Sequence, residues 1–328
     1  MGSNGEKGTF LICGEALFDL FLDADEDMGM RFSARLGGSP FNVALGLARL
    51  DRSVAFFSAL STDFLGARLA RALETEGVSS EYIIRKDAPT TLSVVGVAED
   101  GSPSYAFYGR DAADRSLEVN DLPEIGDHVG ALHFGSYSLV AAPTADALAA
   151  LAQREAGKRL ISVDPNVRPT VEPDVGVWNA RMDGLLPFAD LIKISEEDIE
   201  TLFPGEYPGD FARQCLGRGT GLVVVTKGAD GAVAFGSFGM VEVPSVQVDV
   251  VDAVGAGDSF QAALLCGLEE MGALSSYGLK SLGRKPLEAL LKFAAGAAAL
   301  TCSRRGADLP KRSELSAPDW DTAPAASR

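Results

Sequence analysis

Two hydrophobic periodicities alternate along the chain. Val43, Leu47 and Leu50 recur at helical spacing and predict a helix over 42–50, between apolar runs at 10–22 and 54–60 that read as strands. The chain therefore opens β-α-β. A second helix is predicted over 64–76, stopping at Gly77, and short apolar runs at 132–135, 160–164, 191–195 and 222–226 predict further strands. Helical stretches at 144–155, 178–186 and 211–216 lie between them. Strands spaced by helices imply a parallel sheet covered on both faces, because each right-handed crossover lays a helix on the sheet. The expected class is α/β, doubly wound, with a mostly parallel sheet sandwiched by helices.

One region breaks the alternation. Between 88 and 110, extended runs at 91–98 and 104–108 are joined by Glu99-Asp100-Gly101-Ser102-Pro103, which is hairpin-turn chemistry, and no helix intervenes. Such a hairpin is expected to project with part of 20–36 as a small β-sheet lid on a domain spanning 10–315. Residues 1–9 read as a disordered N-terminus and 316–328 as a frayed tail.

Composition narrows the partners. The 328 residues, 46% hydrophobic, are enough for a full core, and 46 acidic against 29 basic residues give a formal charge of −17. That balance argues against nucleic acid or an anionic membrane, so any phosphate must be held by a few placed cations and backbone amides. Cys13, Cys215, Cys266 and Cys302 are scattered without metal-ligand spacing and read as reduced, buried thiols. No apolar run approaches membrane-spanning length and no leader-like segment opens the chain, so a cytoplasmic location is expected.

The chemistry gathers at glycines. Asp252-Ala253-Val254-Gly255-Ala256-Gly257-Asp258-Ser259-Phe260 follows a β-branched run at 246–251 and precedes a helical pattern from 260. A turn so placed can hold an anion on its backbone N–H groups and the helix dipole, with Asp258 beside it as proton acceptor. No Lys-Ser/Thr follows the glycines and no third glycine completes a dinucleotide fingerprint. Taken alone, the string also suits an ordinary turn capped by an Asp. Gly37-Gly38-Ser39-Pro40-Phe41-Asn42 is a second turn entering a helix, and Asp19 is a carboxylate in an apolar strand that could accept from sugar hydroxyls.

Together these strings resemble the ribokinase-like, or PfkB, family of carbohydrate kinases over nearly the whole chain. The resemblance rests on Gly37-Gly38 with Asn42, on Asp252 to Asp258, and on Thr226-x-Gly228-x-x-Gly231 between them. Three further strings are similar to fructokinases: Leu132-His133-Phe134-Gly135-Ser136; Phe107-Tyr108 with Arg110, Ala113 and Asp114; and Asp164-Pro165-Asn166-Val167-Arg168. The last is shared with 2-keto-3-deoxygluconate kinases.

The resemblance implies transfer of the γ-phosphate of ATP to a sugar hydroxyl, with fructose first and 2-keto-3-deoxygluconate or ribose next. Asp258 would take the hydroxyl proton, as a weak base whose ionised form the helix terminus favours. The amides of Gly255, Ala256, Gly257 and Asp258 would form the anion hole, and Arg168 would lie over the phosphates. Asp19, Gly37, Gly38 and Asn42 would grip the sugar, with Phe107, Tyr108 and Arg110 closing from the lid. ATP would lie along Ser195, Thr226, Gly228, Gly231, Ala256, Gly257 and Ala295. Magnesium is implied, although Ser195-Glu196-Glu197-Asp198 stands where many relatives carry Asn-x-x-Glu, so either Asp198 or Glu197 would replace the usual acid or magnesium would be held mainly by the nucleotide and waters. Potassium is implied at Asp252 and at carbonyls of Val254, Thr301, Arg304 and Gly306. Exposed lid edges would suit a homodimer. The readings from other classes are a non-catalytic sugar- or nucleotide-binding regulator and, within the fold, a nucleoside kinase.

Overall fold

The computed structural model describes residues 8–97 and 103–320. Its main sheet is built from β1 (Thr9–Cys13), β4 (Val54–Ser61), β5 (Ile83–Lys86), β8 (Val129–Gly135), β9 (Leu160–Asp164), β10 (Leu191–Ser195), β11 (Leu222–Thr226), β12 (Ala232–Gly236) and β13 (Gly239–Val243), in the order β13-β12-β11-β10-β9-β8-β1-β4-β5. Pairing is parallel from β5 to β11, and β12 and β13 close the far edge antiparallel. A smaller sheet, ordered β3-β2-β6-β7, comprises β2 (Leu17–Glu26), β3 (Gly29–Gly37), β6 (Leu92–Val97) and β7 (Pro103–Tyr108). This is the expected lid, beginning and ending slightly outside 20–36; of its hairpin turn, residues 98–102 lie outside the described residues.

Alternation along the strands divides the interior in two. Phe10 and Ile12 of β1 join one buried cluster and Leu11 and Cys13 the other. The first cluster is completed by α1 (Ser39–Arg49), α2 (Phe64–Thr75), α7 (Ala256–Glu270) and α9 (Arg284–Cys302), through Phe41, Leu47, Leu69, Leu264 and Leu290. The second is completed by α3 (Thr144–Glu155), α4 (Val175–Leu185), α5 (Glu196–Leu202) and α6 (Pro208–Gly217), through Leu148, Trp178, Ile199 and Phe211. A short α8 (Ser276–Lys280) precedes α9. The chain winds outward from β1 to β5, then returns to β8 and winds the other way. That reversal beside β1 opens a crevice at the carboxyl ends of β1, β8 and β9, where doubly wound sheets bind ligands.

Several expectations need correction. The apolar run at 10–22 is two strands in two sheets, broken at Gly14, whose φ of +146° and 2.5 Å approach of a would-be Cβ to Pro40 exclude a side chain. The run at 246–251 is not a strand: β-branching favours extended backbone, but no neighbour supplies a ladder and Val246, Val248, Val250 and Val251 stay exposed. α7 starts at Ala256 rather than 260, and α1 at Ser39 rather than 42, so both glycine strings run directly into helices. Thr9 is ordered as the first residue of β1, and residues 1–7 lie outside the described residues. The tail is docked through Trp320, which meets Phe293 edge-on at 6.0 Å and donates to Glu270 at 2.9 Å; residues 321–328 lie outside the described residues. Cys302 is half-buried rather than buried.

The lid is pinned by Asp114, which accepts from Thr91 at 2.5 Å and from the Tyr137 hydroxyl at 2.6 Å. Thr91 enters β6, and Asp114 follows β7, so one buried carboxylate fastens both ends of the hairpin to the base. Glu15, on the link between β1 and β2, is equally buried and accepts from Ser138 Oγ. Burial pushes its carboxyl up from 4.5 to about 7 against the opposing Ser138 hydrogen bond.

A raised acid binds its proton more tightly when folded, so this stability is full below about pH 4.5 and lost as pH rises to about 7. Glu15→Gln should therefore gain about 3 kcal/mol relative to the wild type between pH 4 and pH 8, measured by denaturant unfolding. A stability difference independent of pH would contradict the assignment.

Candidate active site

Asp258 is the meeting point of α1 and α7. Gly255, at φ +79°, caps α7, and a Cβ there would lie 2.7 Å from that of Ala307. Asp258 therefore sits in the first helical turn, where backbone N–H groups have no intrahelical acceptor. The Ala256 N–H is turned onto Ala253 O at 3.2 Å, whereas those of Gly255, Gly257 and Asp258 have no acceptor among the described residues. The amides this turn leaves free are therefore those of Gly255, Gly257 and Asp258, and not that of Ala256.

Both carboxylate oxygens of Asp258 are engaged. Ser39 Oγ donates to Oδ1 at 2.6 Å and Asn42 Nδ2 to Oδ2 at 2.8 Å. Asn42, expected to grip the sugar, thus spends one amide hydrogen on the acid and keeps its second hydrogen and Oδ1. The helix-terminus argument, which favours the ionised form, is outweighed. Burial raises the Asp258 carboxyl above the ordinary range, opposed by Ser39, Asn42 and Lys193, and Asp164 adds to the rise.

Strand register sets the lid side. Arg35, Asp19, Ser93 and Phe107 pair in one row across β3, β2, β6 and β7, which puts their side chains on one face. Asp19 is raised by burial, lowered by a hydrogen bond from Ser93 and by Arg168, and raised by Asp258. The three residues share one electrostatic neighbourhood. Gly37 is glycine because a Cβ would lie 2.2 Å from Asp19 Oδ2, and Gly38, at φ +103°, because it would meet Glu15 O at 2.8 Å. Phe107 packs edge-on against Tyr137 at 5.1 Å. Tyr108 lies on the opposite lid face from the Asp19 row, and both Tyr108 and Arg110 are exposed.

The base of the crevice holds residues that sequence reasoning left without roles. Lys193 on β10 pairs with Asp164 at the end of β9, Nζ to Oδ2 at 2.8 Å, and both are buried. Asp164 Oδ1 is buried without a partner, and Asp198 Oδ1 accepts from the Val167 N–H at 3.0 Å. Asp198 is raised first by burial and next by Asp164, so the two acids face one another. The usable signal was a lysine inside the apolar run Leu191-Ile192-Lys193-Ile194. Arg168 is exposed, with Nη1 on the carbonyls of Asn166 and Val167 at 3.3 and 3.0 Å. Ser39 was also missed, hidden inside a glycine string read as a turn.

The residues expected around the nucleotide line the neighbouring strand ends. Ser195 caps α5 by accepting from the Asp198 N–H at 2.9 Å. Thr226 ends β11, and the turn to β12 needs Gly231, where a Cβ would lie 2.1 Å from Val243 O; Gly228, at φ +54°, faces open space. The exposed valines from 246 to 251 lead from this turn towards Asp252. Ala295 is buried on α9. Asp252 joins two loops, accepting from the Val254 N–H at 3.0 Å and the Gly306 N–H at 2.8 Å. The carbonyls of Thr301 and Gly306 accept from Arg304 and Asp308, each keeping a second lone pair.

A doubly wound sheet with a β-lid and an acid in a glycine-capped helix turn defines a sugar-kinase architecture, and the sequence agrees. Residues 9–314 match the pfkB family of carbohydrate kinases, and the chain belongs to that family. It is 37% identical to a fructokinase from Rhizobium leguminosarum bv. trifolii over 314 residues, covering 94% of each chain. A crystal structure of fructokinase with bound ATP from Xylella fastidiosa superposes with a TM-score of 0.86 at 29% identity, over 94% of this chain and 97% of that one. A double mutant of the Vibrio cholerae fructokinase, in fructose-, ADP- and potassium-bound form, gives 0.78 at 26% identity, over 92% and 94%.

Removing a donor from ionised Asp258 must raise its pKa further. With a charge-assisted hydrogen bond worth about 1.5–3 kcal/mol, Ser39→Ala should move the acidic limb of the kcat/KM profile up by about one to two pH units. An unmoved limb would show that Asp258 is not the group whose ionisation the rate reports.

Proposed function

We propose that this carbohydrate kinase transfers the γ-phosphoryl group of ATP to the 6-hydroxyl of D-fructose, giving fructose 6-phosphate and ADP. One observation carries the proposal: the buried carboxylate of Asp258 stands in the first turn of α7 among its unpartnered amides and within electrostatic reach of Asp19 in the lid row. Phosphate belongs on the amide side and the hydroxyl on the lid side. Asp19 accepts from sugar hydroxyls, and Phe107 supplies an apolar wall on the same lid face. Asp258 accepts the proton as the oxygen–phosphorus bond forms, and the Gly255, Gly257 and Asp258 amides stabilise charge on the phosphoryl oxygens. Burial makes Asp258 a stronger base than a surface aspartate. Arg168, within electrostatic reach of Asp19, closes the crevice as a cation over the phosphates.

Fructose is favoured because fructokinases share identity over almost the whole chain. The adenosine end is assigned to the Thr226–Gly231 turn and the exposed valine strip, which offers the apolar surface a base requires. Magnesium suits Asp164 and Asp198, since Asp164 keeps a buried oxygen without a partner; when bound it would neutralise phosphate charge. Potassium suits the carbonyl loops that Asp252 holds together. β3 is an edge of the lid sheet and exposes Met28, Met30 and Phe32 beside or along it, which supports dimerisation through the lid.

A coupled ADP-release assay with magnesium and potassium over fructose, 2-keto-3-deoxygluconate, ribose, glucose and adenosine should give the highest kcat/KM with fructose, and a lower rate when tetramethylammonium replaces potassium. A higher value for another sugar would reassign the substrate. An unchanged rate without potassium would remove the cation, and no turnover at all would favour a regulator.

A further inference from the structure

The α7-facing side of the sheet is apolar towards its amino ends and polar at its carboxyl ends. Along β9, Leu160 is followed on that face by Ser162 and Asp164, and along β10 Leu191 is followed by Lys193. Lys193 is the cation of this buried row. Its neighbour across β11 is Val224, so its polar company lies towards Asp164 and α7.

Three observations set this lysine apart from an ordinary core ion pair. First, an ammonium can donate three hydrogen bonds, and among the described residues Lys193 spends one, on Asp164. Burying a lysine costs several kcal/mol, and a half-satisfied pair recovers little of it, so stability alone gives weak reason for keeping one here. Second, Nζ stands against the anion hole: a Cβ at Gly257 would lie 3.2 Å from it. Gly257 does not need glycine for its backbone, since its φ is not in the left-handed region; the bare backbone instead leaves room for Nζ beside the free Gly257 and Asp258 amides. Third, its charge is felt on several sides of the crevice: it opposes the rise that burial imposes on the Asp258 and Asp198 carboxyls, and it adds to burial in disfavouring a protonated His133.

We infer that Lys193 is a catalytic cation of the phosphoryl-transfer step, sharing its ammonium between Asp164 and the oxygens of the transferring group as charge gathers there. The inference rests on the kinase function proposed above. Lys193 keeps its protons throughout: the bond to the ADP oxygen breaks, the bond to the sugar oxygen forms, and the sugar proton goes to Asp258. A cation already positioned in a dry site stabilises the transition state without reorganisation, and Asp164 keeps it placed when no phosphate is present.

Lys193→Met and Lys193→Gln test this, the glutamine variant retaining a donor for Asp164 if the methionine variant does not fold. Turnover is measured with the best sugar, together with calorimetric affinities for that sugar, for ADP, and for ADP with aluminium fluoride and magnesium in the presence of the sugar. The expected result is a kcat lower by about 100-fold or more, with sugar and ADP affinities held within about threefold and the tightening of ADP binding by aluminium fluoride lost. Retained tightening would overturn the inference. So would a loss of tightening matched by an equal loss of ADP affinity, because that is what a purely structural partner of Asp164 would produce. A wild type that phosphorylates none of the sugars would instead sink the kinase function itself.

Discussion

The contact on which the site depends joins residues more than two hundred positions apart: Ser39 and Asn42 at the start of α1 donate to Asp258 at the start of α7. Two helix N-termini, each with unsatisfied amides, are thereby held around one carboxylate. The contact explains why both glycine strings lead straight into helices. It also fixes the direction of the crevice, because α1 follows the lid strand β3 and α7 follows the loop that Asp252 holds. The lid side and the amide side of the crevice are thus joined by a single pair of hydrogen bonds.

The same contact requires burial, and burial sets the electrostatics. In a chain of formal charge −17, the crevice collects Asp19, Asp164, Asp198 and Asp258, and the cations that act on them are Lys193 and Arg168. Carboxylates crowded in a desolvated cleft raise one another's pKa, which makes a proton acceptor stronger and leaves an uncompensated demand for cations. Under the proposed function, phosphates would be met by amides, by Lys193 and by metal, which suits a reaction governed by positioning and charge.

Much of the fold was legible because its strands are short apolar runs separated by amphipathic helices, and because the hairpin between 88 and 110 had no helix to join it to the sheet. Misreadings have common physical roots. Local pattern cannot tell a strand from an extended segment without partners, as at 246–251, nor show that Gly14 divides one apolar run between two sheets. Of the residues gathered at the crevice, Asp258, Asp19, Gly37 and Gly38 already stand out in the sequence by type and spacing. Ser39, Lys193 and Asp164 do not, since their roles arise from register across neighbouring strands and from contacts between distant helices. The direction of the Asp258 shift was misjudged for the same reason: a helix terminus is visible in sequence, whereas the burial that outweighs it is not.

The central claim is that Asp258 accepts the sugar proton while its surroundings bind the substrates. Asp258→Asn keeps the size and an acceptor for Ser39 but removes the charge. Turnover by the coupled assay, set beside the calorimetric affinity for the sugar, should show kcat lower by about two to four orders of magnitude with affinity changed only a few-fold. A variant that turns over within about tenfold of the wild type would place the proton acceptor elsewhere and contradict the account.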